Sequence, residues 1–198
     1  MKEFPKLIGL CGVARSGKDT FCAHAIKLCE EQQVTASRVS FADALKQDVQ
    51  DFLLNKVGID PFTEDEVEKN LIRDFLVAYG TKLMRKKDSR YWISKIEDQV
   101  KRNMSNNEVT IITDVRYENE IDWIQEELDG YCIHLTRRSS DQEKIPPANQ
   151  DEQINDPILW SKSDAQLTWA TIDDEEVLRF IVADELNSVM PDKATQLL

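Results

Sequence analysis

No apolar run in this sequence is long enough to cross a bilayer, which excludes a helical membrane span. The first residues carry Glu3 and Pro5 where a secretory leader would be basic and then apolar. No targeting segment is read there, and a cytoplasmic location is expected. The four cysteines, Cys11, Cys22, Cys29 and Cys132, form no C-x-x-C pair and have no histidine at ligand spacing. Neither a zinc site nor a disulfide framework is expected, and reduced core thiols are, with Cys22 and Cys29 on one buried helix face. Basic charge is also short: the net charge of −12 argues against a binder of nucleic-acid polymers, which needs positive surface to displace counterions. No N-K-x-D run is present to read guanine, and no internal repeat or second domain is visible. The 198 residues are expected to form one domain, 1–198.

What the sequence does contain is Gly12-Val13-Ala14-Arg15-Ser16-Gly17-Lys18-Asp19-Thr20, directly after the apolar stretch Leu7-Ile8-Gly9-Leu10-Cys11. This fits G-x-x-x-x-G-K between a buried strand and a helix, the context that a phosphate-binding loop requires. Gly12 and Gly17 allow the tight turn that aims successive N–H groups at a polyanion. Lys18 reaches the β- and γ-phosphates, and the helix starting there points its positive end at the same charge. Asp19 stands where a magnesium-binding Ser or Thr is usual, with the hydroxyl of Thr20 one step later. It is either a ligand of magnesium, direct or through water, or a first-turn acid favoured by the helix dipole.

Hydrophobic spacing predicts strands over 6–11, 38–41, 109–113, 131–136 and 166–170. It predicts helices over 18–31, 42–56, 63–79, 118–128 and from 171 or 174 to about 187, with another opening at Asp88-Ser89. Thr63-Glu64-Asp65-Glu66 reads as an N-cap and capping box, and Gly80 as an interruption before a further turn or two over 81–87. The stretch 137–156, with Pro146-Pro147, shows no period and reads as a flexible loop or lid, the lid region extending to 163. Residues 189–198 read as a loose tail. Strands alternating with helices imply an α/β fold: a parallel sheet of P-loop NTPase type flanked by helices, with 42–104 as an inserted helical, substrate-binding subdomain.

Phosphoryl transfer needs positive charge on donor and acceptor alike. Arg73, Arg85 and Arg90 fall in the inserted block, Arg116 follows a strand end, and Arg137 with Arg138 opens the lid. Guanidinium groups grip phosphate oxygens in pairs and stay charged. Asp114, at the end of Ile111-Ile112-Thr113, suits either a place beside loop-bound magnesium or a cap on the next helix. Tyr91, Trp92 and Trp123 have the spacing of core aromatics.

Taken together, these residues resemble the bacteriophage deoxynucleoside monophosphate kinases. The likeness runs from GVARSGKDT at 12–20 to Phe41-Ala42-Asp43-Ala44-Leu45-Lys46, then Arg73 with Ala78-Tyr79-Gly80-Thr81, Arg85, Tyr91-Trp92, and Asp114-Val115-Arg116 with Glu120. It implies transfer of the γ-phosphate of ATP to a dNMP, with Mg2+, for nucleotide supply in phage DNA synthesis in the host cytoplasm. By that resemblance the loop, Gly12 through Thr20, holds the cofactor with Arg137 nearby. Lys46, Arg73, Gly80, Thr81, Arg85, Trp92, Asp114, Arg116 and Glu120 bind the acceptor. Lys18, Arg15, Arg85, Asp114 and Arg116 are the expected catalytic groups, and Asp19 and Asp114 the expected magnesium residues. Asp19 becomes a family trait, and Trp92 gains a role beside the base. Ala14 stands where some relatives carry a lysine, and Lys82 where an acid is common. The partner is a small molecule, with room for a homodimer. The alternatives are a P-loop kinase for dephospho-coenzyme A or phosphomevalonate, and a nucleotide-hydrolysing switch.

Overall fold

Leu7–Cys11 is apolar and buried at all five positions, as suits a strand covered on both faces of a parallel sheet. In the computed structural model, which describes residues 5–139, 143–170 and 174–189, this strand is β1. The chain continues through α1 (Lys18–Glu31), β2 (Ala36–Val39), α2 (Phe41–Lys56) and α3 (Glu66–Val77), which runs into a π-helical segment Ala78–Arg85. Next come α4 (Tyr91–Ser105), β3 (Val109–Val115), α5 (Glu118–Asp122) with a second π-helical segment Trp123–Glu127, and β4 (Tyr131–Arg138). The last described elements are α6 (Gln150–Lys162), β5 (Ala165–Ala170) and α7 (Glu175–Val189). The chain divides into two compact units, Ser40–Gln99 and the residues on either side of it.

In the larger unit the five strands lie in the order β2-β3-β1-β4-β5, and every pairing is parallel. The chain leaves β3 and crosses β1 to reach β4, so the carboxyl end of β1 lies at a switch point, where such sheets bind ligands. One face is closed by α1 and α7 over Ile8, Leu10, Ile111, Ile133 and Leu135, with Cys22 and Cys29 both in that core. The register of β1 on β3 slips between Gly9↔Ile112 and Cys11↔Val115, so β3 holds one residue more than its partner beside Asp114. A bulge of this kind re-aims a strand-end side chain.

The smaller unit is helical. Ser40 Oγ caps α2 by accepting from the Asp43 N–H at 3.2 Å. Asp65 caps α3, its Oδ1 accepting from the N–H groups of Val67 and Glu68. The cap thus lies two residues after Thr63, whose hydroxyl instead accepts from the Asp65 N–H. Val49, Leu53, Ile59 and Ile72 form the core of this unit, backed by Phe75, Leu76 and Tyr79. Asp48 ties three helical segments together by accepting from Tyr79 Oη and Tyr91 Oη, each at 2.8 Å, and from Lys95 Nζ at 2.6 Å.

Three expectations about local structure need correction. Gly80 does not interrupt the helix: α3 passes through it as a π-turn, because the bare glycine lets Leu45 approach and a Cβ there would lie 3.0 Å from Leu45 Cδ2. The stretch 137–156 is not all loop. β4 extends to Arg138, and α6 begins at Gln150, capped by Asn149 Oδ1 on the Glu152 N–H. Its period is hidden because only Glu152 and Leu159 are buried and Pro157 lies inside it. The second strand sits two residues earlier than expected, Ser40 being taken up as a helix cap. Thr171 and residues 190–198 lie outside the described residues, while Asp174 does cap α7 through the Glu176 N–H.

Candidate active site

The phosphate loop joins β1 to α1 and is built around backbone that only particular residues adopt. Gly12 and Gly17 have φ of 123° and 95°, where a side chain is strained. Space forbids one as well: a Cβ on Gly12 would lie 2.3 Å from the Leu135 carbonyl oxygen, and one on Gly17 2.3 Å from Trp169 Cζ2. Trp169, on β5, also donates its indole N–H to the Ser16 carbonyl at 2.9 Å. The far edge of the sheet therefore clamps the loop, a role the sequence reading missed because Trp169 is 153 positions from Ser16. Arg15 is exposed at φ 64°.

Lys18 is only 7 % exposed. Its Nζ donates to the carbonyls of Gly12 at 2.8 Å and Val13 at 2.7 Å, and to Ser16 Oγ at 3.3 Å. Burial, helped by the charge of Arg116, lowers its pKa to about 8, against the opposing pull of Glu152, Asp19 and Asp114. Between about pH 8 and the unfolded value near 10.5, the unfolded chain binds the extra proton, so this group lets stability rise with pH across that window. A bound polyphosphate would favour the charged form, so nucleotide binding at pH 8 and above is expected to take up protons, read by calorimetry in buffers of different ionisation enthalpy.

Ala14 presents its N–H to both oxygens of Glu152, at 3.2 Å each. The same carboxylate accepts from the Ala148 N–H at 2.9 Å and from Arg116 Nη1. Burial raises the pKa of Glu152, but these N–H groups and Arg116 outweigh it and hold it below the usual range. Glu152 went unnoticed in the sequence, lying within a polar stretch of no period.

Asp114 and Asp19 are both near enough to act electrostatically on Lys18. The Asp19 side chain is 86 % exposed, with an oxygen 3.8 Å from Arg38 Nε. Glu120 is buried, and its Oε2 accepts from the N–H groups of Arg116 at 2.7 Å and Tyr117 at 3.0 Å, closing the start of α5. Its shown work is thus to fix the backbone that carries Arg116. Arg137 lines a small hollow of about 50 Å³ with Gly17, Thr20, Trp169, Ala170 and Leu178. A larger cavity of about 440 Å³ opens beside Val13, under Ile145, Pro147 and Trp160, with the His134–Asp156 pair at 2.9 Å in its wall.

In the helical unit, Lys46 Nζ lies 5.2 Å over the Phe62 ring, and Arg73 on α3 is exposed. Thr81 and Arg85 lie on the π-helical segment, four residues apart and half-buried. Trp92 is 3 % exposed and donates Nε1–H to the Gly80 carbonyl at 3.0 Å. That pairing makes Gly80 and Trp92 parts of the framework that presents Thr81 and Arg85.

A phosphate loop at the carboxyl end of β1, in a parallel sheet ordered β2-β3-β1-β4-β5, defines the class of P-loop kinase folds. Within that class the chain belongs to the phosphomevalonate kinase family, whose model matches residues 10–130. Solved structures are similar along nearly the whole length. Dephospho-CoA kinase from Campylobacter jejuni is 14 % identical with a TM-score of 0.54, covering 93 % of this chain and 97 % of its own. A gluconokinase from Sinorhizobium meliloti 1021 is 14 % identical with a TM-score of 0.50, and both chains are covered in full. At such identity the likeness speaks for the fold alone. No curated protein matches the sequence. Among the described residues no helix is long and apolar enough to cross a membrane.

Proposed function

We propose that this chain is an ATP-dependent kinase that moves the γ-phosphate of ATP onto the phosphate group of a small monoester. One observation carries phosphate binding at the loop: the Ala14 N–H and Arg116 from the end of β3 converge on one carboxylate, and membership of the phosphomevalonate kinase family supports a phosphate acceptor. A group pair that holds a carboxylate can hold a phosphate oxygen in the same way. An acceptor that is already a phosphate anion needs no strong base. Its oxygen attacks the γ-phosphorus, the bond to the β-phosphate oxygen breaks, and ADP leaves with that electron pair. Lys18 and Arg116 stabilise the charge as it spreads. Arg137 shares a hollow with Thr20 and Gly17, which supports a contact with the donor nucleotide. The carboxylate of Asp114, which acts electrostatically on Lys18, is a hard oxygen donor that suits magnesium, with Asp19 acting through water. The metal would supply neutralisation of the donor phosphates.

Two acceptors fit this chemistry. Membership of the phosphomevalonate kinase family favours phosphomevalonate. The motif set GKDT, Arg73, Gly80-Thr81 and Asp114-x-Arg116 favours a deoxynucleoside monophosphate, with Lys46, Arg73, Thr81 and Arg85 as its phosphate and sugar contacts. Initial rates of ADP release at fixed ATP and magnesium, with each dNMP, each NMP, phosphomevalonate and dephospho-coenzyme A, decide between them. Turnover with a phosphate monoester is expected, and Arg73→Ala or Arg85→Ala should then cost about tenfold or more in kcat/KM for that acceptor. ADP release that ignores every acceptor, or that needs the alcohol of dephospho-coenzyme A, would overturn the proposal.

A further inference from the structure

Two of the phosphate loop's donors are already engaged from within the chain. Lys18 Nζ is turned onto the Gly12 and Val13 carbonyls, and the Ala14 N–H, one of the loop's anion-binding donors, is given to Glu152. Glu152 is itself 7 % exposed, and Arg116 and the Ala148 N–H complete its shell. Its carboxylate thus lies among donors that a phosphate would otherwise meet: a loop amide and a guanidinium. Two anions cannot share the Ala14 N–H and Arg116 without strong repulsion, so one must leave.

Resting on the reading that this loop binds the donor's phosphates, we propose that Glu152 is an internal competitor for them. It occupies the Ala14–Arg116 position when no nucleotide is present and is displaced when the triphosphate enters. Glu152 then has two effects of opposite sign. It steadies the empty protein, because it accepts from three donors, the Ala14 and Ala148 N–H groups and Arg116, and anchors the first turn of α6 to the loop. It also weakens nucleotide binding, because its contacts must be given up first. Binding is thereby coupled to release of the 148–152 segment from the loop.

The test uses the full chain, wild type and Glu152→Gln, with a non-hydrolysable ATP analogue titrated by calorimetry at fixed magnesium and salt. Glutamine keeps the shape and removes the charge. The variant is expected to bind the analogue about tenfold more tightly while its melting temperature without nucleotide falls. Glu152→Asp, which keeps the charge, should stay within a few-fold of wild-type affinity. A residue with only a structural role would weaken both properties together. Unchanged or weaker analogue binding in folded Glu152→Gln overturns the competitor role. Failure of the wild type to bind the analogue at all overturns the phosphate-loop reading, and this proposal with it.

Discussion

Lys18→Ala should reduce phosphoryl transfer by about three orders of magnitude or more while leaving the protein folded. The ammonium is buried to within 7 % of full enclosure, and its pKa is pushed down to about 8 chiefly by that burial. Charge kept in so dry a place is electrostatically costly without an anion and strongly favourable with one. Its present partners, the carbonyls of Gly12 and Val13, are neutral. A triphosphate offers full negative charge at the same point. Loss of one transition-state donor in an excluded site costs about a hundredfold to a thousandfold, and here a whole charge is lost with the donor. The stability side should be mild near neutral pH. Removing Lys18 also removes the cost of burying its proton, which offsets the loss of its hydrogen bonds. Steady-state kinetics and a thermal melt on the same sample separate the two effects. A well-folded Lys18→Ala that keeps even a tenth of the activity would contradict the role given to this residue.

Trp169→Ala should damage stability more than any substitution within the loop's own polar residues. The indole lies in the main core against Phe21, with ring centroids 6.3 Å apart. Truncating a buried tryptophan costs about 3–5 kcal/mol, which for a chain of this size lowers the melting temperature by roughly 6–20 °C. The loss has a local consequence too. Without the ring against Gly17 and the bond to the Ser16 carbonyl, the loop is no longer held at its left-handed turn. Trp169→Phe divides the two contributions. It keeps most of the packing, costs about 1 kcal/mol for the hydrogen bond, and should raise the KM for ATP several-fold with little change in melting temperature. Equal loss of stability in both variants would show that packing alone matters at this position.

The sequence makes the donor half of the site legible and hides what supports it. Leu7–Cys11, the glycines at 12 and 17, and Lys18 carry strand, turn and charge in consecutive positions, so local rules suffice to place them. Val109–Val115 reads as a buried strand for the same reason, although the bulge that sets Asp114 apart from the ladder leaves no mark in the residues. Glu152 and Trp169 do their work through the fold. Each meets the loop across more than a hundred positions of chain, and neither sits in a motif. The helix carrying Glu152 buries too few side chains to show a period, and Pro146-Pro147 just before it with Pro157 inside it suggest a loop. In the helical unit, Trp92 and Gly80 were expected to line a base site, whereas their visible bond is to each other. A spacing pattern cannot tell a side chain that touches a ligand from one that holds the residue beside it.

In the proposed reaction a loop-bound triphosphate gives up its γ-phosphate to the phosphate of a second small molecule. Phosphorus NMR of a completed reaction tests it most directly, with ATP, magnesium, the protein and the acceptor that gives the fastest ADP release. Formation of ADP together with a new phosphoanhydride, seen as coupled doublets on the acceptor's phosphorus and the transferred one, is the expected spectrum. Inorganic phosphate as the only product besides ADP, or a phosphate ester on a carbon-bound oxygen of the acceptor, would contradict it.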